Sequence, residues 1–150
     1  MAKANILFIT SASRIGGAER VLIFIVKNLN RDLFLPAVLI PEEGVLFDEL
    51  SKLDVKIFKS KPIKKLNLLR MTFRIGRLKS YNPLTIGINA IFVTFYFLFS
   101  LVIIPAVIRR SKADIIHVNS EDIAVRSFLA AAFARKPVIF HVHDILKPNV

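Results

Sequence analysis

Short apolar runs alternate with helix-length segments along this chain, and that alternation most restricts what it can fold into. "NILFIT" (5–10), "PAVLIP" (36–41) and "VKIFKS" (55–60) have strand length and are rich in β-branched residues. "ADIIHVN" (113–119) and "KPVIFHVHD" (136–144) repeat the pattern near the end. Between them, "AERVLIFIVKNL" (18–29), "GVLFDELSKL" (44–53) and "EDIAVRSFLAAAFAR" (121–135) read as helices. Apolar runs of four to eight residues bounded by turn residues suit strands buried on both faces. Strands alternating with helices imply right-handed crossovers and a parallel sheet. The expectation is an α/β chain with strands near 5–10, 36–41, 55–60, 114–119 and 137–143, in a Rossmann-like doubly wound sheet of order 3-2-1-4-5.

The chain has 150 residues and a hydrophobic content of 54%, enough for one domain with a real core and too apolar for disorder. It has no cysteine, which removes disulfides and thiolate metal sites and fits a cytoplasmic protein. The apolar run in "MAKANILFIT" is too short for a signal-peptide core. The formal net charge of +11 favours a phosphate-bearing partner: nucleic acid, anionic lipid or nucleotide.

Residues 62–110 form a basic and apolar block. In "PIKKLNLLRMTFRIGRLKSYN" (62–82), Arg70, Arg74 and Arg77 share one helical stripe, readable as a solvated face or as a lipid-phosphate contact. "PLTIGINAIFVTFYFLFSLVIIPAVI" (83–108) carries no charge and is long enough to span a bilayer. A single crossing would put strands three and four on opposite sides of the membrane. The preferred expectation is one or two helices that cover the sheet and enter the interface, with a peripheral position at the inner membrane face. A single-span membrane protein is the alternative.

In a doubly wound sheet, ligands sit at the carboxyl ends of the strands where strand order reverses. Here that point lies between strands one and four. The loop Ser11–Gly17, the residues Asn119, Ser120 and Glu121, and the pair His143–Asp144 should meet there. Gly16 and Gly17 can take backbone angles closed to other residues, and they let a ligand approach the main chain. Amides at the start of the next helix favour an anion. The stretch is neither G-x-G-x-x-G nor a P-loop. Glu19 and Arg20 open the helix, where Glu19 also suits the helix dipole. His117 and His141 read as hydrogen-bonded histidines in or under the sheet. His143, at the strand end, is the better candidate for contact with a reacting group. Asp114, at the opposite end, reads as structural. No metal site is expected, because Asp144 directly follows His143 and Leu146 stands where a further histidine would be needed.

"ILFITSASRIGGAERVL", "ADIIHVNS" and "PVIFHVHD" resemble, in order and spacing, the N-terminal domain of family 4 glycosyltransferases of the GT-B fold. The resemblance implies an incomplete N-terminal, acceptor-side half of a GT-B fold over residues 1–150, without the donor-binding C-terminal domain. It implies sugar transfer from a nucleotide-diphosphate sugar to a membrane-associated or glycan acceptor, by a chain inactive alone. A non-catalytic acceptor- or membrane-binding module is the rival. Gly16 and Gly17 match the loop facing the donor diphosphate and sugar, and His143 the histidine near the transferred sugar. His117 matches the first histidine of an H-x-H pair, whose second position is Asn119 here. Expected partners are a nucleotide sugar, a glycan or lipid-linked acceptor, an anionic membrane surface and a separate donor-binding domain. Nucleic acid and cofactors are not expected.

Overall fold

The computed structural model describes residues 2–61, 63 and 83–143. Five strands, β1 (Ala4–Ile9), β2 (Phe34–Ile40), β3 (Lys56–Lys59), β4 (Ile115–Val118) and β5 (Val138–Phe140), form one sheet. All pairings are parallel and the order is β3-β2-β1-β4-β5, as the strand–helix alternation predicts. Among the described residues the sheet is flanked by the helices α1 (Gly17–Asn28), α2 (Val45–Ser51), α3 (Pro83–Ser111) and α4 (Ala124–Ala134). A 3-10 turn (Glu121–Ile123) precedes α4, so the helix expected to start at 121 begins three residues later.

The pleat of β1 explains its unbroken apolar run. Leu7 and Ile9 point into one core with Ile104, Ile108, Ile116 and Ala130, under α3 and α4. Ile6 and Phe8 point into the other with Leu22, Val26, Leu46 and Leu50, under α1 and α2. A strand flanked on both faces has no polar side to show. Each fully buried Leu or Ile contributes about 1.5–3 kcal/mol relative to an exposed one.

Pro36 lies inside β2, where the sequence suggested only a boundary. Leu33 and Leu39 turn their carbonyls toward β1, so the missing N–H of Pro36 faces the other side. β3 pairs only from Ala37 onward, so no ladder bond is lost there. β5 stops at Phe140 rather than 143, which leaves His141–His143 as the loop leaving the sheet. The uncharged run 83–108 is a single helix that continues to Ser111. Its last third packs on the sheet through Ile104, Val107 and Ile108. Arg70, Arg74, Arg77 and Asp144 lie outside the described residues.

Asp114 closes the end of the sheet opposite the strands' carboxyl edge. It accepts from the Asn5 backbone N–H at 2.9 Å and the Asn5 amide at 3.2 Å, with Lys136 Nζ 3.7 Å away. These hydrogen bonds, the backbone one foremost, hold its carboxyl below the usual carboxylate range. The structural role read from the sequence is the one it has.

Candidate functional site

The ends of β1 and β4 are sewn together by hydroxyls and one carboxylate. Thr10 Oγ1 and Ser120 Oγ lie 3.0 Å apart, and the Ser11 N–H donates to Ser120 Oγ at 3.3 Å. Ser11 Oγ donates to Asp122 Oδ1 at 2.6 Å. Arg126 is buried and donates to the Asp122 carbonyl at 3.1 Å. Burial pushes the Arg126 guanidinium down to about 10. Sequence reasoning singled out Glu121 in this loop. Glu121 is exposed and lines the cleft, but the residue that fixes the β1 loop is its neighbour Asp122. A carboxylate two residues after the β4-end Ser120 was the available signal.

Above these bonds opens a cleft of about 610 Å³, lined by Ser11, Gly17, Glu19, Asn119, Asp122 and His143 among others. It sits at the carboxyl ends of β1 and β4, the switch point of the sheet. The three segments expected to converge each contribute to it: Ser11 and Gly17 from the first loop, Asn119, Ser120 and Glu121 after β4, and His143 after β5, while Gly16 is not among the lining residues. Arg20 is exposed and lies outside the described lining, while Glu19, Ser120 and Glu121 lie within it.

Glu19 folds back, and its Oε2 accepts from the Gly16 N–H at 2.9 Å. That carboxylate satisfies one donor at the helix start and suits its dipole. The first helical bond runs from the Arg20 N–H to the Gly16 carbonyl at 3.2 Å. The amides of Gly17 and Ala18 therefore precede the helical ladder, and both residues line the cleft. The glycines do not act through unusual angles: Gly16 is extended at φ −111°, and no described glycine lies in the left-handed region. Their contribution is space. A Cβ on Gly17, one of the residues lining the cleft, would meet nothing within 4 Å. A Cβ on Gly16 would come within 2.9 Å of Glu19 Oε2.

Gly44 supports the loop from behind. A Cβ there would lie 2.8 Å from the Ser13 carbonyl oxygen, which also accepts from the Leu46 N–H at 3.3 Å. Its contact is tertiary and 31 residues away in sequence, so no local pattern pointed to it.

Asn119 is fully buried and joins three elements. Its N–H donates to the Ile9 carbonyl at 2.9 Å and its Nδ2 to the Ala18 carbonyl at 3.2 Å. Its Oδ1 lies 3.0 Å from His143 Nε2. A carbonyl can only accept, so Nδ2 faces Ala18 and Oδ1 faces the histidine. The network thus assigns the proton to Nε2 of His143 and leaves Nδ1 with its lone pair in the neutral ring.

Three imidazoles run back from the cleft. The rings of His143 and His141 stack at 4.2 Å, and His141 meets His117 edge-on at 5.6 Å. Stacked rings direct their in-plane lone pairs past one another, a poor arrangement for sharing one metal ion. Among the described residues no cluster of His, Cys, Asp or Glu is arranged for one. His117 is buried against Phe8 with ring centroids 4.9 Å apart. Its Nδ1 is buried with no hydrogen-bond partner. Burial first, then the charges of His141 and His143, push His117 down to about 4.

No family model matches the chain, and no curated protein sequence matches it significantly. Solved structures do. A glycosyltransferase from Rickettsia africae ESF-5 aligns over 99% of this chain and 32% of its own, with TM-score 0.66 and 24% identity. HepE from Anabaena, in complex with UDP and glucose, aligns over 97% and 31%, with TM-score 0.54 and 25% identity. MurG from Acinetobacter baumannii aligns over 93% and 35%, with TM-score 0.61 and 14% identity. The chain spans about a third of the length of each. Its fold is the Rossmann-like α/β fold of part of a glycosyltransferase, as the resemblance implied.

Proposed function

We propose that this chain is the acceptor-side half of a glycosyltransferase that uses a nucleotide-diphosphate sugar. One observation carries the reading: the amide-bearing start of α1 and the oriented His143 face the same cleft at the switch point. The likeness to HepE, solved with UDP and glucose, supports the donor class. In this reading the donor diphosphate lies against Gly16, Gly17 and the first amides of α1. Those groups stabilise the charge that grows as the bond between the sugar carbon and the phosphate oxygen breaks. The nucleoside diphosphate leaves with that electron pair. A hydroxyl oxygen of a glycan or lipid-linked acceptor forms the new glycosidic bond and gives up its proton to the departing phosphate oxygen. His143 stands beside the sugar, and Asn119 sets which ring nitrogen faces it. Most of the nucleotide is held by a second domain. No metal or other cofactor is assigned to this half.

The test joins the chain to a matching donor-binding domain and follows sugar transfer. The chain alone should bind nucleotide sugar weakly and transfer none. The joined protein should be active, and His143→Ala should lower its rate by about 10²–10³, the usual loss for one stabilising group. Gly17→Val, which fills open cleft space, should also reduce transfer while the protein stays folded. Full activity in both variants would move the site elsewhere.

A further inference from the structure

The cleft at the switch point has the opposite sign to the chain that builds it. The sequence carries 22 Lys and Arg against 11 Asp and Glu. Among the described residues the lining holds three carboxylates, Glu19, Glu121 and Asp122, and no Lys or Arg. Arg14 and Arg20 flank the glycines in sequence, yet both are exposed and neither enters the lining. Two of the carboxylates are engaged by the fold. Glu19 Oε2 accepts from the Gly16 N–H at the helix start, and Asp122 Oδ1 accepts from Ser11 Oγ. Arg126, only 2% exposed, stands behind Asp122, with one nitrogen on the Asp122 carbonyl and Nη1 without a partner. That buried cation attracts the Asp122 carboxylate and offsets its charge.

Glu121 is the third carboxylate, and the fold leaves it unengaged. It is exposed, and among the described residues its side chain meets no hydrogen-bond donor and no cation. It does not cap the 3-10 turn it begins, and Ser120 supplies no side-chain cap either. Its main chain is nevertheless anchored, because the preceding Ser120 Oγ is tied to Thr10 Oγ1 at 3.0 Å and to the Ser11 N–H at 3.3 Å. The two walls of the cleft therefore differ. The α1 wall presents the start of a helix, which favours an anion, and the β4 wall presents a group that can only accept. At about 610 Å³ the cleft falls among small-molecule sites, which run from about 300 to 1,000 Å³.

We propose that Glu121 is a specificity-determining residue of this cleft and selects an uncharged polyhydroxyl acceptor, a sugar end with no phosphate or carboxylate beside the reacting hydroxyl. The proposal rests on the reading of the cleft as the place of sugar transfer and narrows its acceptor. Hydroxyls donate to a carboxylate, and hydrogen bonds to a charged acceptor are the stronger kind. A phosphate or carboxylate in the same position can only accept and brings like charge against Glu121. The donor diphosphate avoids that clash by lying on the α1 wall. A cationic sugar would be drawn to Glu121 but opposed by the positive end of the helix dipole across the cleft.

The test is binding to the full chain, isotope-labelled and followed by NMR at the Gly17 amide and the His143 ring. Those two signals report the cleft and ignore anions held elsewhere on a basic surface. The neutral probes are methyl glucoside, methyl galactoside and methyl N-acetylglucosaminide. Glucose 6-phosphate and glucuronate are the anionic probes, and glucosamine is the cationic one. At least one neutral glycoside should shift both signals and bind about fivefold tighter than either anion, the effect of one like-charge contact near 4 Å in water. Glu121→Gln keeps an acceptor at the wall, so glycosides should still bind while the anions rise to meet them. Glu121→Lys should reverse the order. Asp54→Lys makes the same charge change between α2 and β3, at the other edge of the sheet, and should leave the wild-type order intact. Anions that match the glycosides in the wild type would overturn the proposal, as would an unchanged order in folded Glu121→Lys. So would glycosides that shift neither signal, or glucosamine that binds tighter than they do. A parallel titration with UDP-glucose reads the donor site alone: a Gly17 amide that ignores it counts against that site, whatever the glycosides do.

Discussion

Lowering the pH should destabilise this domain through one buried imidazole. His117 is held at about 4 in the fold, against about 6.5 in the unfolded chain. Its folded value is the lower one, so between those values the unfolded state binds more protons and stability falls as pH falls. The two values imply a loss of about 2 kcal/mol between pH 7 and pH 5, rising to about 3 kcal/mol at pH 4. For a domain of this size 2 kcal/mol corresponds to roughly 4–8 °C in Tm. His117→Phe keeps a ring against Phe8 and removes the titration; it abandons no bond at Nδ1, which has none. Urea unfolding of both proteins at several pH values between 7 and 5 provides the assay. The wild type should lose about 2 kcal/mol more than the variant across that range. Asp114 interferes little, because its lowered carboxyl titrates below this window. Parallel pH profiles would show that His117 charges freely in the fold, and the reasoning from burial would fail.

Two glycines that frame the loop after β1 should respond in opposite ways. Gly44→Ala forces a Cβ against the Ser13 carbonyl and should cost about 1–3 kcal/mol, whereas Gly17→Ala meets open space and should be neutral or slightly stabilising; calorimetry of both settles it. Asn119→Asp removes the donor to the Ala18 carbonyl and sets a buried carboxylate beside His143. It should destabilise the domain by about 1–3 kcal/mol and raise the His143 pKa, read by NMR titration of the ring.

The sheet was legible because its strands are buried on both faces, and "NILFIT" and "PAVLIP" show no polar alternation to mislead. The switch point followed from strand order, and with it the meeting of Gly17, Asn119, Ser120 and His143. What failed is what tertiary contact decides. Glu121 lines the cleft, but the contact that fixes the β1 loop is made by Asp122, which only the position of Ser11 selects. Pro36 looked like a boundary, and only the late start of β3 permits it inside a strand. Gly16 and Gly17 suggested unusual angles, but the chain turns into α1 through an extended residue and needs only the missing side chains. Gly44 was invisible, because the oxygen it approaches belongs to a distant loop.

Position 119 joins the fold to the proposed chemistry. The resemblance to family 4 glycosyltransferases places a second histidine of an H-x-H pair there, and this chain has asparagine. A neutral imidazole also offers one donor and one acceptor, but on opposite edges of a rigid ring. An amide presents both from one end of a short side chain. Here the donor is taken by the Ala18 carbonyl in the first turn of α1, and the acceptor by His143 after β5. The main-chain N–H of the same residue holds the end of β1. One fully buried residue therefore sets the distance between the amides that would face the donor diphosphate and the imidazole that would face its sugar. Because Ala18 can only accept, the amide cannot flip without placing two acceptors together. The asparagine thus also fixes the protonated nitrogen of His143, which a histidine at 119, free to change tautomer, would not do unaided.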